Sequence, residues 1–288
     1  MKIALVQMSM SADKAANLEK AKDRIREAAA RGAELVCLPE LFATPYFCQS
    51  EDAANFDLAE PMNGPTTEAM AAAARESKVA VVVPFFERRA PGVYHNSLVV
   101  VGPSGAVAGS YRKMHIPDDP LFYEKYYFTP GDLGFRSIES GPISVGPLIC
   151  WDQWYPEAAR LTAMSGAETL VYPTAIGWHP AEKAEFGAAQ VSAWQTMQRA
   201  HAISNGLFVV AVNRVGHEGP EGGGIEFWGH SFVADPFGVV LAEAGEGEET
   251  LVVTCDLSRI EWVRRNWPFF RDRRIDAYAG ITSRFLDR

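Results

Sequence analysis

The sequence predicts an α/β fold in which short buried strands alternate with crossover helices. Three observations predict it. Residues 3–6 and 35–38 are continuous apolar runs, and between them Leu18, Ala21, Ile25 and Ala28 recur at helical spacing. The same alternation returns later, with apolar runs at 143–149, 169–172 and 207–212 around helical stretches beginning near Pro156 and spanning 183–204. Pro103-Ser104-Gly105 divides two further apolar runs, which reads as a hairpin. Two β-α-β halves with hairpins between them fit a two-sheet sandwich with helices outside. A single doubly wound sheet fits the same pattern.

Taken in order, the first strand (3–6) is too continuously apolar to have one wet face. The helix over 14–30 ends at Gly32, a usual place for a left-handed cap. The second strand stops at Pro39-Glu40. After an irregular stretch from 44 to 64, an alanine-rich helix is expected over 67–77, with Thr66 as its cap. A third strand covers 79–85, and the hairpin follows. Its second arm ends at Arg112-Lys113. The loop over 114–134 is long, aromatic and acidic, and loops of that kind inside a compact domain tend to be functional. The glycine-rich stretch 222–238 leads into strands at 239–242 and 251–255, read as a late hairpin around an acidic turn. A short helix over 259–266 precedes a basic, aromatic tail from Trp267.

The 288 residues are 48% hydrophobic and 22% charged, the balance of a globular enzyme. Net charge is -9, and no Lys/Arg cluster offers the basic face a nucleic-acid partner needs. No apolar run approaches the roughly 20 residues that span a bilayer, so no membrane association is expected. Met1-Lys2 leads straight into a strand, without a signal peptide, which predicts a cytoplasmic protein. Cys37, Cys48, Cys150 and Cys255 form no CxxC pair, and the six histidines form no HExxH. Neither a metal nor an organic cofactor is expected. GxSxG, GxGxxG and GxxxxGK[ST] are all absent.

Glu40, Lys113 and Cys150 each lie just past an apolar strand. Ligands gather beyond the carboxyl ends of parallel strands, so the three can meet. A thiol is mostly protonated at neutral pH, a carboxylate in reach can take its proton, and an ammonium can hold a developing oxyanion. The Trp151 N–H offers a second donor. Together these are the parts for acyl transfer to a cysteine. Each has a plainer alternative: a core thiol, a helix-start acid, a solvated lysine.

The motifs Leu38-Pro39-Glu40-Leu41-Phe42, Tyr111-Arg112-Lys113-Met114-His115 and Ile149-Cys150-Trp151-Asp152 resemble, in order, those of the nitrilase superfamily of carbon–nitrogen hydrolases. The resemblance runs nearly the full length. It implies a single domain over 1–288 with the α-β-β-α sandwich of the nitrilase type. It implies Glu40 as base, Lys113 as oxyanion stabiliser and Cys150 as nucleophile, with Glu124 as a fourth polar residue. It also implies homodimers or larger homo-oligomers, the tail (267–288) packing on the body or on a partner subunit.

Within the superfamily the chain is most similar to the N-carbamoylputrescine amidase branch, through Lys113-Met114-His115-Ile116-Pro117-Asp118, Cys150-Trp151-Asp152-Gln153-Trp154 and Tyr172-Pro173-Thr174-Ala175-Ile176-Gly177. The implied substrate is a small N-carbamoyl amine. The branch places a glutamate for the distal amine where this chain has Trp178-His179-Pro180. Asp119, Glu182 and Glu185 are the acids that can replace it. Tyr46, Asp119, Trp178 and His179 are the candidate substrate-binding residues. A carboxylate-bearing substrate would want a basic partner, with Arg112 and Arg199 as candidates. His115 reads as a brace for the loop after Lys113.

Overall fold

A computed structural model describes residues 1–141, 143–220 and 222–286. In the first half, β1 (Lys2–Gln7), α1 (Lys14–Ala30) and β2 (Leu35–Cys37) form the expected unit, followed by α2 (Pro65–Ser77), β3 (Ala80–Ala90), β4 (Val93–Val101) and β5 (Val107–Arg112). A one-turn helix α3 (Glu124–Tyr127) interrupts the long loop. The second half runs β6 (Ile138–Ser140), β7 (Ile143–Pro147), α4 (Pro156–Met164), β8 (Thr169–Thr174), β9 (Gly177–Trp178), α5 (Pro180–Asn205) and β10 (Phe208–Asn213). It ends with β11 (Val215–Glu218), β12 (Ile225–Trp228), β13 (Phe232–Ala234), β14 (Val240–Glu243), β15 (Glu249–Thr254) and α6 (Ser258–Asn266).

These strands make two six-stranded sheets, ordered β15-β1-β2-β3-β4-β5 and β14-β13-β10-β8-β7-β6, with β11-β12-β9 as a small third. The architecture is the α-β-β-α sandwich. Strand alternation explains the layers. Ile3 and Leu5 of β1 join Val82 and Leu98 in the core between the sheets, whereas Ala4 and Val6 face out to Ala21, Ile25 and Met70 of α1 and α2. On the other side Ala158, Ala159, Trp194 and Ala202 seat α4 and α5 on the second sheet. Gly146 makes the α4 contact possible: a Cβ there would lie 2.7 Å from Thr162 Cγ2 and 2.8 Å from the Ala167 Cβ.

Three local expectations change. The helix near Thr66 starts at Pro65, with Gly64 as its cap. Thr66 instead donates its N–H to Glu60 Oε2 at 2.8 Å, so a carboxylate from the preceding loop meets the helix dipole. The third strand runs on to Ala90, because β4 pairs with it along its length. The late hairpin is not a hairpin: β14 pairs with β13 in the second sheet and β15 with β1 in the first. The acidic turn between them is a bridge from sheet to sheet. Gln7 Nε2 holds it by donating to the Gly245 and Gly247 carbonyls at 2.7 and 2.6 Å, and Lys20 meets Glu248 at 2.7 Å. Residues 222–238, read as glycine-rich and aromatic, contain β12 and β13.

The front of the tail packs on the body, where the Phe270 ring lies under Arg160 of α4 and Arg264 of α6 at 5.3 and 4.9 Å. Beyond it Ile275, Ile281 and Phe285 are exposed. Among the described residues no helix is long and apolar enough to cross a membrane.

Candidate active site

β1, β2 and β3 are parallel, and two antiparallel steps bring β5 back to the direction of β3. The carboxyl ends of β2 and β5 therefore share one edge, and Glu40 and Lys113 lie just past them. Lys113 is held on both sides of its backbone: its N–H donates to the Asn96 carbonyl at 2.8 Å and its carbonyl accepts from Gly131 at 2.8 Å. Gly131 comes so close that a Cβ there would sit 2.0 Å from the Arg112 oxygen. Cys150 arrives from the second sheet. Its strand β7 ends at Pro147, and the 3-10 turn Cys150–Trp154 begins with Cys150 at φ +40. That left-handed conformation is strained for a side-chain-bearing residue and is held by the surrounding packing.

Glu40, Lys113 and Glu124 are fully buried. Lys113 Nζ donates to Glu40 Oε1 at 2.8 Å and to Glu124 Oε2 at 2.6 Å. Glu124 sits on α3, in the loop singled out for its length. Asn96 Nδ2 also donates to Glu40 Oε1, at 2.7 Å, while Glu40 Oε2 is buried without a hydrogen-bond partner among the described residues. So one carboxylate oxygen is doubly held and the other is free to accept a proton. Asn96 escaped the sequence reading, although His95-Asn96-Ser97 is a polar interruption at the start of an apolar strand. Arg214 is a second residue it missed. Fully buried, it donates to the Thr44 carbonyl at 3.0 Å and to Glu218 at 2.5 Å, holding the turn after Glu40 from behind.

Burial sets the electrostatics. Desolvation by itself would lower the Lys113 pKa, but Glu124 and Glu40 outweigh it and hold the ammonium well above its usual value. Burial raises Glu124 to about 7, with Lys113 pulling it down and Glu40 pushing it up. Burial and then repulsion from Glu40 raise the Cys150 thiol well above its usual value, and Lys113 offsets only part of this. The resting cysteine is a neutral thiol.

A cavity of about 450 Å³ opens over Cys150. Trp151, Trp154, Phe122 and Trp228 wall it with aromatic surface. Its polar lining is Asp119 from the long loop, His179 at the N-cap of α5, and Glu182 and Gln190 from the N-terminal half of that helix. Among the described lining residues there is no Lys or Arg. Glu182 Oε2 accepts from Gln190 Nε2 at 3.1 Å.

Of the residues expected to bind substrate, Asp119 and His179 line this cavity, His179 also capping α5 by accepting the Ala181 N–H at 3.2 Å. Trp178 does not line it. Its Nε1 donates to the Gly187 carbonyl at 3.1 Å and its ring backs Trp228 at 5.6 Å. Tyr46 does not line it either; its hydroxyl donates to Glu124 Oε1 at 2.7 Å, placing it behind Lys113. Both are aromatic neighbours of a motif, and adjacency in sequence does not say which face of the wall a ring takes. Glu185 stays out of the lining while Glu182 enters it. Arg112 is paired with Glu87 and Asp132, and Arg199 donates to the Gly238 carbonyl at 2.7 Å, so neither is available to a substrate carboxylate. Arg160 of α4 and Arg273 of the tail lie over the Phe270 ring at 5.3 and 4.7 Å and are absent from the cavity lining.

Known proteins resemble this chain over nearly its whole length. The family model for carbon-nitrogen hydrolase matches residues 2–265. The chain is 41% identical over 285 residues to the N-carbamoylputrescine amidase of Solanum lycopersicum, covering 97% of this chain and 94% of that one. It is 38% identical over 286 residues to the citrullinase of Francisella tularensis, covering 99% of each. The crystal structure of a carbon-nitrogen hydrolase from Helicobacter pylori G27 superposes with a TM-score of 0.96 at 46% identity, covering 99% of both chains. With motifs, fold and relatives in agreement over nearly its whole length, the chain belongs to the carbon-nitrogen hydrolase family.

Proposed function

We propose that this hydrolase cleaves the ureido group of an N-carbamoyl amine with a cationic tail, N-carbamoylputrescine being the best-fitting member, and releases the diamine, ammonia and CO2. The observation that carries this reading is the cavity lining: two carboxylates, Asp119 and Glu182, and, among the described residues, no Lys or Arg. A distal ammonium is attracted there and a distal carboxylate is repelled. The acid absent at position 179 is supplied three residues on, one turn into α5, and again from the loop. The likeness to the tomato amidase supports the same substrate class.

In this mechanism Glu40 Oε2 takes the Cys150 proton as the sulfur attacks the ureido carbon. Lys113 Nζ and the Trp151 N–H, whose place in the first turn leaves it no intrahelical acceptor, hold the oxyanion. Collapse expels one nitrogen, which takes the proton from Glu40. Glu40 then deprotonates a water that attacks the thioester, and the thiol is restored. The carbamic acid released breaks down to amine or ammonia and CO2. Overall one water is consumed for each ureido group cleaved.

Ammonia release from a panel of N-carbamoyl diamines, citrulline, N-carbamoyl amino acids and simple amides tests the reading. The diamines should lead; a lead for the carboxylate-bearing members overturns it. The relative named citrullinase makes citrulline the sharpest competitor.

The protein also works as a homodimer or larger assembly in this reading. Leu161 and Met164 on the outer face of α4 are 46% and 51% exposed, and Ile275, Ile281 and Phe285 of the tail add further apolar surface. A monomeric mass by light scattering at micromolar concentration would refute it.

A further inference from the structure

Asp152 stands two residues after Cys150, fully buried, and touches neither the cavity nor a basic side chain other than a histidine. All its contacts run to the residues around Cys150 and Lys113. Oδ2 accepts the Ile149 N–H at 3.0 Å and the Tyr111 hydroxyl at 2.8 Å. Oδ1 accepts the His115 N–H at 3.0 Å and lies 2.7 Å from His115 Nδ1. Ile149 directly precedes Cys150, whereas Tyr111 and His115 bracket Lys113 at two residues on either side. The His115 ring, in turn, stacks on Tyr155 at 3.7 Å and 6°, just past the same turn.

These contacts join two sheets. Lys113 rides on the first and Cys150 on the second, and between them lies an apolar core. Apolar packing fixes the spacing of two sheets but is not directional. A carboxylate that fills its four acceptor positions with donors from both sides is directional. Cys150 at φ +40 also needs its turn restrained on the preceding residue, and Asp152 restrains it through the Ile149 N–H.

We propose that Asp152 is a positioning residue for the reaction: it locks the turn carrying Cys150 to the strand end carrying Lys113, and so sets the sulfur against the ammonium that receives the oxyanion. The inference rests on the roles given to Cys150 and Lys113 above. It explains why a buried carboxylate is kept where a core residue would otherwise be apolar. An error of about an ångström between reacting groups can cost roughly a hundredfold in rate without changing substrate affinity.

The test is steady-state kinetics on the best substrate of the panel, with Asp152→Asn, Tyr111→Phe and His115→Gln. Asn keeps the volume but turns an NH2 toward donors on one side. Its kcat should fall about a hundredfold with KM within about twofold of wild type. Tyr111→Phe and His115→Gln, which each remove one strand-side anchor and spare the Ile149 contact, should each lower kcat roughly tenfold with KM likewise unchanged. Combining Asp152→Asn with Tyr111→Phe should give less than the product of the two losses, since both break one link. If Asp152→Asn does not fold, the two anchor variants decide. Folded variants with wild-type kcat, or with a raised KM at unchanged kcat, overturn the proposal. Cys150→Ala separates the layers: activity surviving in that variant defeats the catalytic reading itself, whatever Asp152 does.

Discussion

Glu124 Oε2 lies 2.6 Å from Lys113 Nζ, and both side chains are fully buried. With Glu40 at 2.8 Å on the same ammonium, two carboxylates share one cation in a space without solvent. Burial raises Glu124 to about 7, with Lys113 pulling it down and the neighbouring Glu40 carboxylate pushing it up.

The pH dependence of stability follows from that shift. A carboxyl whose folded pKa is raised stabilises the fold fully below its unfolded pKa and loses that contribution as pH rises through the folded value. Wild type should therefore lose part of its thermal stability between about pH 4.5 and 7 on account of Glu124. Glu124→Gln removes this component. Melting curves from pH 4.5 to 8 should be flatter for the variant, and identical pH profiles would refute the assignment.

Glu40 raises the Cys150 thiol as well as serving it as a base, so the two effects of Glu40→Gln have opposite signs. Turnover should fall by roughly 10²–10⁴, the usual loss for a general base. Alkylation of Cys150 by iodoacetamide at fixed pH near 8 should become faster, because the repulsion that opposes the thiolate is gone. Unchanged alkylation in the variant would show that burial alone governs the thiol, and slower alkylation that Glu40 promotes the thiolate instead of opposing it.

Asp119 and Glu182 should matter only for charged tails. Asp119→Asn and Glu182→Gln are each expected to raise KM for an N-carbamoyl diamine roughly tenfold, about 1.4 kcal/mol. An N-carbamoyl alkylamine of equal length should be turned over with KM unchanged. A parallel rise for both substrates would point to cavity shape instead of charge.

Arg214 should be a stability residue. Arg214→Met strands the Glu218 carboxylate and frees the Thr44 carbonyl, in a site where both partners are buried. Breaking one side of a buried pair costs about 3–5 kcal/mol. Urea unfolding measures it. A loss below about 1 kcal/mol would mean that solvent reaches Glu218 once the arginine is gone.

The strands and helices were legible wherever the signal was local. Lys14–Ala30 could be read from helical spacing and Gly32, because both act within a turn or two of chain. The ends of β2 and β5 were legible for the same reason, and with them the order of Glu40, Lys113 and Cys150, although the apolar run read as a strand to Ile149 leaves the sheet at Pro147. What the sequence could not show was which strands become neighbours. The runs at 239–242 and 251–255 look like a hairpin, yet Gln7, more than two hundred residues away, draws the turn between them across to the other sheet.

The same division runs through the site. By itself the chain determined its fold class, its family motifs and the three strand-end residues, because apolar periodicity and motif order are properties of a linear string. Only the tertiary structure decided that Glu182 and not Glu185 faces the cavity, that Trp178 and Tyr46 stand behind its wall, that Arg112 and Arg199 are already engaged, and that Asp152 joins the two sheets. Each depends on which face of an element meets a distant segment. That choice is made when two sheets and their helices bury their apolar faces against one another, and no local stretch of sequence contains it.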